Sequence, residues 1–241
     1  MKKLYALLRA NAKTDSRDPI KIEAAADSVT IYMYDVIDAD YGINAIEFAK
    51  ALGGISPKST LNLRINSPGG DVFEARAIAT AIKAHAGKVV AHIDGLAASA
   101  ATTIAAAADE VVIADGSFYM IHNAWTLALG DKNDFRTTAD LLDKIDGAIR
   151  ADYVARTGKV ETEIVALMDA ETWFTAQEAV DHKFADRLAD EPKAKNAATW
   201  NLSAYDKAPE ILNAPAEPEA TPDFATQRAK NERRLRLLSL T

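Results

Sequence analysis

The sequence contains no cysteine. That excludes disulfides, thiolate nucleophiles and thiolate-bound zinc, and it fits a reducing compartment. No stretch approaches the roughly 20 consecutive apolar residues that a membrane-spanning helix needs. The opening Met1-Lys2-Lys3-Leu4-Tyr5-Ala6-Leu7-Leu8 has the charge of a signal peptide, but Arg9, Asn11 and Lys13 interrupt its apolar run. Export is therefore not expected, and the reading is a cytoplasmic protein. Basic charge is in deficit: 28 Lys and Arg stand against 35 Asp and Glu, a net −7. This argues against nucleic acid or an anionic membrane as partner. No Gly-x-x-x-x-Gly-Lys-Ser/Thr run is present to cradle a nucleotide phosphate. Glycine is missing after Gly158, whereas five of the 8 prolines lie beyond residue 190.

That asymmetry divides the chain. An N-terminal segment at 1–20 is followed by a compact domain at 21–190, a Pro/Ala/Glu-rich linker at 191–223 whose composition argues for disorder, and a basic, leucine-rich tail at 224–241. Within the compact part, strand and helix signals alternate. Strands are expected at Ser28–Val36, Thr60–Asn66, Lys88–Ile93 (stopped by Asp94-Gly95), Val111–Ala114 and Phe118–Ile121. Helices are expected at Ile43–Leu52, about 72–86 with Asp71 as cap, Ala97–Ala108, 134–156 and near 161–168. Such alternation implies a mainly parallel sheet covered by helices, an α/β fold.

Four segments at strand ends or turns have chemical potential. Asn66-Ser67-Pro68-Gly69-Gly70 is a turn whose glycines let backbone approach a ligand, with N–H groups available to an oxyanion. Read alone, it is also an ordinary strand-to-helix turn. Gly95-Leu96-Ala97-Ala98-Ser99-Ala100-Ala101 puts a serine at the start of a helix, where free N–H groups favour developing negative charge. A serine among alanines is equally a small packing residue. Phe118-Tyr119-Met120-Ile121-His122 ends an apolar strand in a histidine able to act as a general base, or one merely satisfied in the interior. Asp169-Ala170-Glu171 offers two carboxylates to orient an imidazole, or to serve as caps and surface charge. His85, His92 and His182 lie in less suggestive surroundings.

Taken together and in order, the segments resemble the Clp protease proteolytic-subunit family. Asn66–Gly70 is similar to its Asn-Ser-Pro-Gly-Gly turn, Gly95–Ser99 to its serine segment, Met120-Ile121-His122 to its Met-Ile-His, and Phe174–Ala179 to the run after its aspartate. The resemblance implies a Clp protease/crotonase-like fold of repeated β-β-α units with a protruding long helix, plus a flexible C-terminal extension. It implies Ser99 as nucleophile, His122 as base, and N–H groups of Gly70 and Ala100 as the oxyanion hole. Gly69, Asp71 and Val72 would bind substrate, the residues after Gly70 pairing with it as a strand. The family's aspartate falls on Glu171, one methylene longer, with Asp169 as rival. Other departures are Leu96 and Ala101 in the serine segment, Asp71 after the glycine pair, and Lys183 where a helix-ending glycine is expected. The resemblance implies no cofactor and no metal. It implies a homo-oligomer of stacked rings meeting through the helix at 134–156, with an ATPase unfoldase as a possible partner.

A narrower resemblance concerns phage and prophage head-maturation (prohead) proteases of this family. It rests on Glu171-Thr172-Trp173-Phe174-Thr175-Ala176 and on the Pro/Ala-rich extension ending in Arg233–Thr241. It implies scaffold or capsid protein as substrate, a location in host cytoplasm or on the prohead, and a linker open to self-cleavage. The alternatives are an ATP-dependent bacterial proteolytic subunit, a non-catalytic ring scaffold, and a crotonase-like acyl-CoA enzyme on the same fold.

Overall fold

In the computed structural model of the chain, residues 7–8, 11, 20–25, 27–190 and 200–212 are described. The tail at 224–241 and the outer parts of the linker lie outside the described residues. Eight strands form one sheet: β1 (Ile22–Ala24), β2 (Ser28–Met33), β3 (Thr60–Ser67), β4 (Val89–Ala98), β5 (Glu110–Ile113), β6 (Phe118–Ile121), β7 (Thr172–Thr175) and β8 (Arg187–Leu188). Among the described residues, the α-helices with both ends defined are α1 (Ala45–Gly53), α2 (Val72–Ala84), α3 (Ala100–Ala106), α4 (Lys132–Thr157), α5 (Glu161–Asp169) and α6 (Ala176–Asp181). Strands β2, β3, β4, β5 and β8 pair in parallel, while β1 joins the edge antiparallel to β2. Their inward residues, among them Ile31, Leu63, Ile93 and Val111, are buried beneath the helices. None of the described helices is long and apolar enough to cross a membrane.

Strand β4 forks the sheet. Its first half, Val90–Ile93, pairs with β5, and its second half, Leu96–Ala98, pairs with β6. The sequence reading stopped this strand at Asp94-Gly95 and started a helix at Ala97. Both boundaries are corrected by the structure. The turn signal is realised as a bulge: Ile65 pairs with Ile93, but Ser67 pairs with Ala97, so β4 spends extra residues there and bends towards β6. Gly95 lies inside the bulge because a Cβ would sit 3.1 Å from Asn66 Oδ1. Asp94 is held by Arg64 Nε at 2.7 Å and by Tyr34 at 2.5 Å.

Helix α4 is closed by a capping box of Asp131 with Asp134 and by Gly158 in the left-handed conformation. Only its C-terminal half is anchored, through Ile149, Tyr153 and Thr157. The N-terminal half is mostly exposed, with Phe135 and Leu141 each 51% accessible and only Thr138 and Leu142 partly buried. Lys183 takes the left-handed backbone of a helix-ending glycine, φ 64°, so the turn survives the departure in sequence with the strain of a side chain added. The stretch read as a linker also differs from its composition. Within it, Trp200, Leu202, Ala204 and Tyr205 are buried against Leu7, Leu96, Ala98 and Met120.

Candidate active site

Adjacent strands deliver the four segments to one end of the sheet. Strands β3, β4 and β6 run parallel, so Gly69-Gly70, Ser99 and His122 all follow carboxyl ends. Strand β7 is antiparallel to β6, so Glu171, just before it, arrives at the same place.

Ser99 occupies a strained turn between β4 and α3, with φ 53° and ψ −124°, a conformation that costs a non-glycine residue about 1–3 kcal/mol. Three contacts hold it there. Its N–H donates to Met120 O at 2.9 Å, its carbonyl accepts from Thr102 Oγ1 at 2.5 Å, and Thr102 Oγ1 also meets the Tyr153 hydroxyl at 2.5 Å. The bond to Met120 ties the serine to the strand that ends in His122. Ser99 Oγ consequently lies 2.7 Å from His122 Nε2. Burial pushes the His122 imidazole down to about 4, only partly opposed by the negative charge of Glu171. The imidazole is therefore neutral at ordinary pH and able to take a proton from the hydroxyl bonded to it.

The glycine turn is fitted to the serine. A Cβ on Gly69 would sit 2.9 Å from the Ser99 Cβ, and one on Gly70 would sit 2.0 Å from Ile37 O. Ile37 N donates to Gly69 O at 2.9 Å and Asp71 N to Ile37 O at 2.7 Å, a parallel bridge. In β geometry the N–H of the residue between them, Gly70, points to the opposite side. That side is a cleft of about 510 Å³ lined by Gly70, Asp71, Val72, Ser99, Ala100 and His122, and walled by Leu141 and other apolar residues of α4. Ala100 is the first residue of α3, so its N–H has no carbonyl within the helix to bond. Asp71 and Val72 differ from expectation. Asp71 caps α2, accepting from Phe73 N at 2.7 Å and Glu74 N at 3.0 Å. Its own N–H is used by Ile37, and Val72 opens the helix. They line the cleft without offering a strand edge.

The two carboxylates bond elsewhere than to the imidazole. Asp169 Oδ1 accepts from Asn123 Nδ2 at 2.7 Å. Glu171, also at positive φ, 47°, accepts from Trp173 Nε1 at 3.2 Å, Asp206 N at 3.0 Å and Lys207 N at 2.6 Å. Asp169, Glu171 and Asp206 share a second hollow with the other side of His122. Asp146, beneath this loop, accepts from Ala124 N at 2.7 Å, and burial raises its carboxyl. Sequence reasoning quoted Trp173 only within a motif and missed Trp200 and Tyr205. Two aromatics within an otherwise Ala/Pro-rich stretch were the available signal, since disordered segments are poor in aromatics.

The family model described as Clp protease matches residues 15–192. The chain is 30% identical over 169 residues to the "ATP-dependent Clp protease proteolytic subunit 1" of Protochlamydia amoebophila, covering 68% of this chain and 82% of the relative. It is 28% identical over 142 residues to subunit 2 of Tropheryma whipplei, covering 58% and 79%. A solved structure of a ClpP1 point mutant from Listeria monocytogenes superposes with a TM-score of 0.60, at 24% identity over 67% of this chain and 91% of that one, a likeness of fold. The matched span runs through all four segments gathered at this end of the sheet, and the chain thus belongs to the Clp protease family, a family of serine peptidases.

Proposed function

We propose that the chain is a serine endopeptidase in which Ser99 is the nucleophile and His122 the general base. The observation that carries this reading is the 2.7 Å contact between Ser99 Oγ and His122 Nε2 at the floor of an open cleft. Oγ attacks the peptide carbonyl while Nε2 takes its proton. The tetrahedral oxyanion is received by the N–H groups of Gly70 and Ala100, a donor pair in which each member is typically worth about 100- to 1000-fold in rate. The imidazolium returns its proton to the leaving amine, and water then releases the acyl group by the reverse roles. Glu171 stabilises the imidazolium through its charge, while Asp169, two residues earlier, is bonded to Asn123. No cofactor takes part in these steps. A crotonase-like acyl-CoA enzyme or a non-catalytic ring scaffold would have no need of the hydroxyl–imidazole contact.

The setting follows from the relatives, which are named as proteolytic subunits of ATP-dependent Clp proteases. We infer a cytoplasmic ring of copies fed with polypeptide by an ATPase. The unanchored half of α4, with Phe135 and Leu141 exposed, supports association with another copy. The head-maturation reading, with scaffold or capsid protein as substrate, is carried only by Glu171–Ala176 and the C-terminal extension.

Mass spectrometry after treatment with a fluorophosphonate probe tests the chemistry. A single adduct on Ser99, lost in Ser99→Ala and His122→Ala, is expected. Folded wild-type protein that takes no adduct would count against the peptidase reading. Co-purification with an unfoldase ring, or its failure, separates the two settings.

A further inference from the structure

Residues 200–207 lie beyond the span matched by the family model, yet they touch all four segments of the site, packing on Leu96 and Ala98 of the serine segment as well as on the other three. Trp200 Nε1 donates to Asn66 Oδ1 at 3.1 Å, and the Tyr205 hydroxyl donates to Pro68 O. Both bonds grip the turn that presents the Gly70 N–H. The Tyr205 ring stands edge-on to the His122 imidazole, with centroids 5.4 Å apart at 84°, and packs on Trp173 at 5.7 Å. The N–H groups of Asp206 and Lys207 receive the Glu171 carboxylate, and Lys207 Nζ donates to Ala170 O. Trp200 and Tyr205 are 3% and 5% exposed, so the contacts of these two rings are interior packing, while those of Asp206 and Lys207 lie at the surface. The segment is secured from its other side by a two-bond clasp, Asn11 Nδ2 to Asn201 O at 2.9 Å and Asn201 N to Asn11 Oδ1 at 2.6 Å.

We propose that Tyr205 is a positioning residue for the Ser99–His122 pair, its hydroxyl fixing the oxyanion turn through Pro68 and its ring covering the imidazole. This rests on the peptidase reading above. Support comes from where the segment does not go: among the described residues, none of 200–212 lines the cleft beside Ser99. The described part of the segment therefore packs behind the glycine turn and the imidazole, with the Tyr205 hydroxyl within reach of the Ser99 side chain, and adds no side chain to the lining of that cleft. Burial also holds the Tyr205 phenol well above its ordinary value, so it stays protonated and donating. The groups facing the imidazole are the Ser99 hydroxyl and the titratable Tyr205, Glu171, Asp169 and Asp206, with Asp146 beneath Ala124.

The two halves of the Tyr205 side chain can be tested separately in the full-length chain. The readout is the rate and affinity of Ser99 labelling by a fluorophosphonate across pH 3–8, alongside thermal unfolding. Tyr205→Phe keeps the ring and removes the hydroxyl. A fall of about tenfold in the maximal labelling rate is expected, with probe affinity and the pH inflection unchanged. Tyr205→Ala uncovers the imidazole, and its inflection is expected to move up from about 4 towards 6.5. Tyr205→Phe labelling at the wild-type rate overturns the inference even if Tyr205→Ala does not fold. Tyr205→Ala labelling faster than wild type overturns it in favour of a restraining strap. Wild-type protein that never labels on Ser99 removes the peptidase reading and this inference together.

Discussion

Acid should disable Ser99 at an unusually low pH. The imidazole of His122 is held at about 4 against an ordinary 6.5. At about 1.36 kcal/mol for each pKa unit, burial disfavours the charged ring by roughly 3 kcal/mol. The base is active only when neutral, so Ser99 labelling should be flat from pH 8 to about pH 5 and fall by half near pH 4. An imidazole in water would lose half its activity near 6.5. The same shift enters stability with a fixed sign. Between about 6.5 and 4 the unfolded chain binds a proton that the folded chain refuses. The contribution is thus fully present above pH 6.5, erodes as pH falls to about 4, and changes little below. It amounts to no more than about 3.5 kcal/mol. The assay is the second-order labelling rate against pH, with urea unfolding measured in the same buffers. A labelling inflection at 6–7 would refute the reasoning, because it would mean that water or a bonded carboxylate supports the imidazolium.

Glu171→Gln removes the one charge that raises the His122 value, so its labelling inflection should move below 4 and its maximal rate should fall, as a pH series would show. Gly70→Ala places a methyl 2.0 Å from Ile37 O at φ +146°. Labelling should drop at least about 100-fold, with displacement of an oxyanion donor the reason. Lys183→Gly relieves a left-handed backbone costing about 1–2 kcal/mol and gives back about 0.5–1 in unfolded-state freedom, so a net gain approaching 1 kcal/mol is expected in urea unfolding. Asp71→Ala removes two accepted N–H bonds at the start of α2 and should cost about 1 kcal/mol, with labelling also slowed because the cap adjoins Gly70.

Much of the site was legible because it hangs on strand ends, and strand ends carry strong local signals. Apolar runs at Thr60–Asn66 and Phe118–Ile121 fixed where β3 and β6 finish, and the residues following them were the candidates. The continuation of β4 through Asp94-Gly95 was hidden. A turn dipeptide and a bulge have the same composition, and only the neighbouring strand distinguishes them. The direction of the Glu171 carboxylate was hidden for another reason. It answers to N–H groups 35 and 36 residues away, which no local pattern announces. The burial of Trp200 and Tyr205 depended likewise on the surface presented by Leu96, Ala98 and Met120.

The fork in β4 has a consequence for how far such a chain can drift. Ser99 and His122 hang from two neighbouring strands of one hydrogen-bonded ladder, and the distance between paired strands is set by the backbone at about 4.8 Å whatever side chains it bears. The separation between hydroxyl and imidazole is therefore gauged by peptide groups and insulated from most substitutions around it. Relatives sharing only about three residues in ten can hold the same spacing on that gauge, provided the bulge at Gly95 and the bond from Ser99 N to Met120 O are kept. Sequence is free to wander where it faces outward. The bulge and that single backbone bond are where drift would change the chemistry.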